Sequence, residues 1–186
     1  MLRKHSLSSS SVVQELRVAG SIADLVITNG KSVVYEIKTE LDSPARLMKQ
    51  LIDYWSCFTH VVVVAHHTQQ QKYTKLLSET NAGLHILESN GRIVEIAPAS
   101  AELTYLSNRS MIRVLRKQEI FDLVKRLTGI SLNCPNGVFH SSAQASLSGI
   151  SEELVNFELA NQLRLRNLKT PKHYRLRKYQ PILANC

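Results

Sequence analysis

The chain has 186 residues, which allows one domain with a substantial core or a domain plus an appendage. Its three cysteines, Cys57, Cys134 and Cys186, form no C-x-x-C pair; this argues against a zinc site or a disulfide framework and favours a reducing compartment. No apolar run approaches the roughly 20 residues of a membrane span, so we expect a cytoplasmic protein without a membrane partner.

The net charge of +8 is distributed unevenly. Residues 1–108 carry 10 basic and 10 acidic side chains, whereas residues 109–186 carry 13 basic and 5 acidic ones. A basic segment following a neutral core is typical of a protein that binds phosphate backbones. A basic protein that binds no nucleic acid is the alternative. We predict a core over residues 1–100 and a helical, basic extension over 101–186.

The first predicted elements are a short helix from Ser11 to Arg17 and a hairpin. Serines 8 to 11 would cap the helix, which carries Glu15 toward the hairpin. Two β-branched runs, Ser21 to Thr28 and Ser32 to Lys38, flank Asn29-Gly30, which is a strong hairpin signal.

Register decides which hairpin side chains share a face. A three-residue loop, Thr28 to Gly30, pairs Ile27 with Lys31 and gathers Asp24, Glu36 and Lys38 on one mostly apolar face. Charges there need compensation, and a divalent cation such as Mg²⁺ would provide it through oxygen ligands. The alternative is a solvated strand face with a cross-strand Asp-Lys pair.

A helix is predicted to follow, starting at Asp42-Ser43-Pro44 and running to about Phe58. Arg46, Gln50 and Tyr54, each four residues apart, form a stripe that leans toward the strand ends.

Asp24, then Glu36-Ile37-Lys38, then Gln50 and Tyr54 on the next helix, resemble the signature of the PD-(D/E)XK nuclease superfamily, in particular its small bacterial members. The resemblance implies a restriction-endonuclease-like αβββαβ core. It implies that Asp24, Glu36 and the backbone carbonyl of Ile37 hold Mg²⁺, with Mn²⁺ able to substitute, and that Glu15 binds the metal directly or through water. Lys38 would position a water, Gln50 and Tyr54 would fix the strand geometry or touch the scissile backbone, and Arg46 would contact phosphate.

The remaining pattern predicts further strands and three helices. The run from His60 to His66 is typical of a strand buried on both faces. The complete α/β prediction is a central mixed sheet flanked by helices, with a C-terminal helical extension. The other predicted elements are a helix from Gln69 to Glu79, strands from Leu84 to Glu88 and Arg92 to Ile96, a helix from Ser110 to Leu127, a loop over 130–149 and a helix from Ser151 to about Asn167.

The C-terminal segment mixes basic and aromatic side chains, which suit phosphates and stacked bases. A solvated tail is the alternative. The basic candidates for nucleic-acid binding are Arg164, Arg166, Lys169, Lys172, Arg175, Arg177 and Lys178.

These patterns together predict a metal-dependent nuclease that hydrolyses phosphodiester bonds, with DNA as the expected substrate. One alternative is a non-catalytic nucleic-acid-binding or assembly protein that keeps the fold. Another is a structural partner within a larger machine, and a homodimer or partner proteins stay open.

Overall fold

The structure is a computed structural model that describes residues 10–168. Within that range six strands form one mixed sheet whose spatial order follows the chain. The pairs β1/β2, β2/β3 and β5/β6 are antiparallel, and β3/β4 and β4/β5 are parallel. The strands are β1 (Ser11–Val18), β2 (Ser21–Thr28), β3 (Ser32–Lys38), β4 (His60–His66), β5 (Gly83–Leu87) and β6 (Ile93–Ala97).

The helices confirm the predicted class, an α/β protein with a mixed sheet flanked by helices. Parallel strands need a crossover, and α1 and α2 supply it on either side of β4. Ser43 caps the short 3₁₀ turn before α1, as its hydroxyl accepts from the Ala45 N–H at 3.3 Å. The helices are α1 (Leu47–Trp55), α2 (Gln70–Leu77), α3 (Asn108–Val114), α4 (Lys117–Thr128), α5 (Phe139–Ser146) and α6 (Glu152–Leu168).

Strand β4 lies at the centre of the core, and its side chains are buried on both faces. Val61 and Val63 pack in the larger cluster, which also contains buried side chains of every helix. Val62 and Val64 pack on the other face with Leu25. The core of the sheet therefore continues without a break into the helices after residue 101.

The predicted helix from Ser11 to Arg17 is wrong, because these residues form β1. Glu15 has a φ of 51°, in the left-handed region. The buried side chains of Val13 and Leu16 are therefore three residues apart, which breaks the alternation of a regular strand. The helix was predicted from serines 8 to 11 as capping residues, and this signal does not reveal a left-handed residue within a strand.

The hairpin loop has three residues, as predicted, but lies one residue further along the chain. Thr28 pairs with Ser32, so the loop is 29–31 and the predicted Ile27–Lys31 pair is wrong. Gly30 adopts the predicted left-handed conformation, with φ of 70°. The shift moves each pairing by two residues, so every side chain keeps its predicted face.

The helical half has two more helices than predicted, one from a break and one within the predicted loop. The predicted helix from Ser110 to Leu127 is two helices, since Leu115 and Arg116 are extended. The Glu119 carboxylate accepts from the Arg116 N–H at 2.7 Å and caps the start of α4. The predicted loop over 130–149 contains α5.

Candidate functional site

A cleft of about 900 Å³ lies where β2 and β3 meet the start of α1. We call it the acidic cleft. Its walls include three predicted carboxylates, one from each of the first three strands, together with Lys38. The predicted residues that line it are Glu15, Asp24, Glu36, Ile37, Lys38, Arg46 and Gln50.

Asp24 lies at the point where β2 and β3 separate. Their pairing runs from the loop to Leu25 and Tyr35 and does not continue. Beyond it, the backbone N–H of Ile37 donates to Oδ2 of Asp24 at 2.8 Å. A carboxylate therefore takes the place of a strand carbonyl, which keeps the backbone donor satisfied while the strands diverge.

Glu36 is buried, with 3% of its surface exposed, and its carboxylate is bonded on both oxygens. Lys38 Nζ donates to Oε1 at 2.8 Å, and Gln50 Nε2 donates to the same oxygen at 2.7 Å. Lys38 also donates to Gln50 Oε1 at 2.9 Å. The negative charge of Glu36 is thus compensated by the buried ammonium of Lys38.

Tyr54 lies behind this network. Its hydroxyl is 2.6 Å from Oε2 of Glu36 and 2.8 Å from the carbonyl oxygen of Ile22. Burial and the hydrogen bond to Glu36 raise the pKa of Tyr54 far above its ordinary value. The hydroxyl therefore stays protonated and serves as a hydrogen-bond donor.

A second cleft, of about 530 Å³, lies between the end of β1, α3 and α5. We call it the basic cleft. It is lined by Arg17, Ala19, Arg113, Val114 and His140. Among the described residues, 10–168, no acidic side chain lines this cleft. Sequence reasoning missed it because its basic residues are about 100 positions apart and carry no shared motif.

Seven basic residues were predicted to bind nucleic acid. Arg164 and Arg166 lie in α6, and the other five lie outside the described range. Arg166 is engaged in the protein interior. Its Nε donates to Oε1 of Glu119 at 2.7 Å, and Nη2 donates to the Val114 carbonyl at 3.3 Å. Arg164 is half-buried. Arg166 is therefore not available for a phosphate in this arrangement.

A model of the family described as bacteriophage P4 protein cII matches residues 1–177. The chain belongs to this family. A relative in Enterobacteria phage P4, named protein cII, is 29% identical over 130 residues. The matched region covers 68% of the present chain and 49% of the relative, so the chain spans about half the length of that protein. No solved structure matches the chain.

Membership of the phage P4 protein cII family corrects the nuclease prediction. The family and its phage relative are both described as protein cII, and neither description is that of a nuclease. The contacts supply a physical reason for the error. Glu36 and Lys38 neutralise one another inside the protein, so the acid-lysine pattern is satisfied structurally. The non-catalytic alternative agrees better with the family.

A magnesium ion in the acidic cleft would need oxygen ligands that converge on one point. Within residues 10–168, no group of three His, Cys, Asp or Glu side chains converges as a metal shell. One carboxylate oxygen of Glu36 accepts from the Lys38 ammonium, and Glu15 is exposed on β1. The roles predicted for Asp24, Glu36, Ile37 and Glu15 as Mg²⁺ ligands stay predictions.

None of the helices in residues 10–168 combines the length and apolar character needed to cross a bilayer.

Proposed function

We propose that this member of the phage P4 protein cII family is a non-catalytic nucleic-acid-binding protein, with DNA as its expected ligand. The observation that carries the proposal is the arrangement of cations. Lys38 in the acidic cleft is neutralised by Glu36, whereas several cations in the helical half are exposed and have no carboxylate partner.

The paired cations are found in both halves of the chain. Lys38 contacts Glu36, and Lys49 contacts Asp53 at 2.7 Å across one turn of α1. In the helical half, Arg126 lies 3.3 Å from the buried carboxylate of Glu158. These cations stabilise the chain locally and leave little charge to attract a polyanion.

Three unpaired cations lie on α3 and α4. Arg109, Arg113 and Lys125 are exposed and have no hydrogen-bond or ion-pair partner within residues 10–168. Exposed cations without a local acid are available to phosphates, and their binding releases the counterions of the nucleic acid. This favours a backbone contact by the helical half.

The sequence after α6 adds to this charge. Residues 169–186 contain five lysines and arginines and no acidic residue, so they account for +5 of the net charge of +8. Tyr174 and Tyr179 lie among them and are suited to stack on bases. The sequence of this segment supports single-stranded as well as duplex ligands.

Fluorescence anisotropy tests the proposal. The full chain is titrated into labelled duplex and single-stranded DNA at several salt concentrations, next to a variant with the five basic residues of 169–186 changed to glutamine. We expect the logarithm of the binding constant to fall linearly with the logarithm of the salt concentration. In the five-residue variant, the magnitude of this slope should be smaller by about 0.9 for each contact to duplex DNA that is removed. The control variant is Lys72→Gln, in exposed α2.

Lack of binding at low salt by the wild-type chain to either DNA would refute the proposal. An unchanged salt slope in the five-residue variant would instead limit the interface to residues before 169.

A further inference from the structure

We propose that the basic cleft is a phosphate-binding site, formed by the guanidinium groups of Arg17 and Arg113 with the imidazole of His140. The phosphate belongs to the backbone of the nucleic acid that the proposed function requires, so this inference rests in part on that function. The inference names one site for the nucleic-acid binding that was proposed from the charge distribution.

Strand β1 places Arg17 at the cleft. The neighbouring side chains, Leu16 and Val18, are buried in the core and fix the strand, so Arg17 points away from the core and is exposed. Within residues 10–168 it has no hydrogen-bond or ion-pair partner. The other charged residue of this segment, Glu15, lines the acidic cleft instead.

Helix α3 brings Arg113 to the same cleft. Ile112 and Val114 on either side are buried, and the intervening side chain is exposed. The Val114 carbonyl at the cleft wall already accepts from Arg166, whose charge is taken up by Glu119. The positive charge of Arg113 is therefore not matched by a nearby free carboxylate of this wall.

Helix α5 adds His140 on the third side. Its neighbour Phe139 lies beneath the ammonium of Lys117, which is 5.9 Å from the ring centroid and donates to Asn136 Oδ1 at 2.6 Å. Lys117 therefore adds a positive charge near α5 at the start of α4. Several cations on separate elements suit an extended polyanion better than an isolated small anion.

Phosphate is the ligand class that these side chains favour. A guanidinium carries a permanent charge and a planar fork of donors that matches two phosphate oxygens. Two such groups from separate elements, held around one cleft without a carboxylate, can bind a phosphodiester from two sides. A protein carboxylate ligand would be held by the same groups, so the test uses phosphate compounds directly.

The test uses the full chain with Arg17→Gln and Arg113→Gln, singly and together. The matched control is Arg92→Gln, which removes the same charge from an exposed residue next to β6, at the opposite edge of the sheet. At 0.1 M salt we expect each cleft variant to bind labelled duplex DNA about eightfold more weakly and to lower the salt slope by about 0.9. Far-ultraviolet circular dichroism and urea unfolding check that each variant is folded.

A second measurement uses inorganic phosphate. In a ¹⁵N-labelled wild-type chain, the Nε–Hε resonances of Arg17 and Arg113 should shift together on titration with phosphate, and the Arg92 resonance should not. A chloride titration at equal ionic strength is the control for general screening.

The two measurements separate the site from the proposed function. DNA binding by the wild type that is equally strong in the cleft variants and in Arg92→Gln would overturn the phosphate site and leave the function standing. Phosphate shifts in a chain that binds no DNA would overturn the function and retain an anion site. Absence of both responses would overturn both.

Discussion

The carboxylate of Glu36 and the hydroxyl of Tyr54 lie 2.6 Å apart, although 18 positions separate the two residues in the chain. One belongs to β3 and the other to α1, and the same hydroxyl contacts the Ile22 carbonyl of β2. Tyr54 therefore joins the crossover helix to two strands at the point where those strands separate.

Tyr54→Phe should lower the free energy of unfolding by roughly 1.5 to 3 kcal/mol, the usual contribution of a hydrogen bond to a charged group. The substitution keeps the buried ring and removes the donor to Glu36 and Ile22. Urea unfolding followed by circular dichroism measures the change. Tyr105→Phe is the control, since Tyr105 is exposed and its hydroxyl has no partner within residues 10–168. A decrease in the free energy of unfolding no larger than about 0.5 kcal/mol, as is usual for surface substitutions, would show that the Tyr54 hydroxyl does not stabilise the fold.

Lys38→Met should be strongly destabilising, by roughly 3 to 5 kcal/mol, because it leaves the buried carboxylate of Glu36 without its cation. Adding Glu36→Gln should recover most of the lost stability, as the remaining amide needs no counter-charge. Chemical denaturation of the two single variants and the double variant forms a thermodynamic cycle. A double variant no more stable than Lys38→Met would contradict a structural pairing.

The pH dependence of stability should report on Glu119. Burial raises the pKa of this carboxyl, but the hydrogen bonds from Arg166 and the Arg116 N–H outweigh it and hold the pKa below its ordinary value of 4.5. A depressed pKa means that Glu119 stabilises the fold above pH 4.5 and that this contribution disappears as the pH falls through the folded-state pKa.

Glu119→Gln should therefore cost about 2 kcal/mol at pH 7, and less as the pH falls below 4. Thermal and urea unfolding over this pH range measure the difference from the wild type. Glu153→Gln, at an exposed site in the first turn of α6, is the control. A wild-type advantage that grows on acidification would show that the sign of this linkage is wrong.

Ala19→Gly should stabilise the chain slightly. Ala19 has a φ of 51°, which costs a residue with a Cβ about 1 to 2 kcal/mol, whereas glycine costs roughly 0.5 to 1 kcal/mol in chain entropy. The net gain is about 0.5 kcal/mol. Ala145→Gly in α5 is the control and should be destabilising by about 1 kcal/mol. Equal destabilisation by both changes would contradict a strained turn at Ala19.

Local patterns predicted most of the sheet. The Asn29-Gly30 signal and the β-branched runs located β2 and β3. The alternation of side chains between the two faces of a strand placed Asp24 and Glu36 at one cleft, even though the loop position was wrong by one residue. A two-residue change in pairing leaves each side chain on the same face of the sheet, because side chains alternate with a period of two. Asp24 and Glu36 therefore stay together despite the error in the loop position.

The errors came from features that are set by tertiary contacts. Serines 8 to 11 predicted a helix cap where the chain forms β1, a strand that contains a left-handed residue at Glu15. Helix α5 buries only Ala143 and has too little apolar periodicity to be recognised. The chemistry was misjudged for a related reason: spacing placed Glu36 beside Lys38 but did not show that Tyr54 and Gln50 would complete its bonding.

The left-handed residue Glu15 in β1 affects which cleft each charged side chain of this strand faces. Glu15 faces the acidic cleft and Arg17, two positions later, faces the basic cleft, so one strand presents opposite charges to two separate surfaces. Slippage of β1 by a single residue along β2 would displace both charges at once. The charges of both clefts therefore depend on the position of β1 in the sheet.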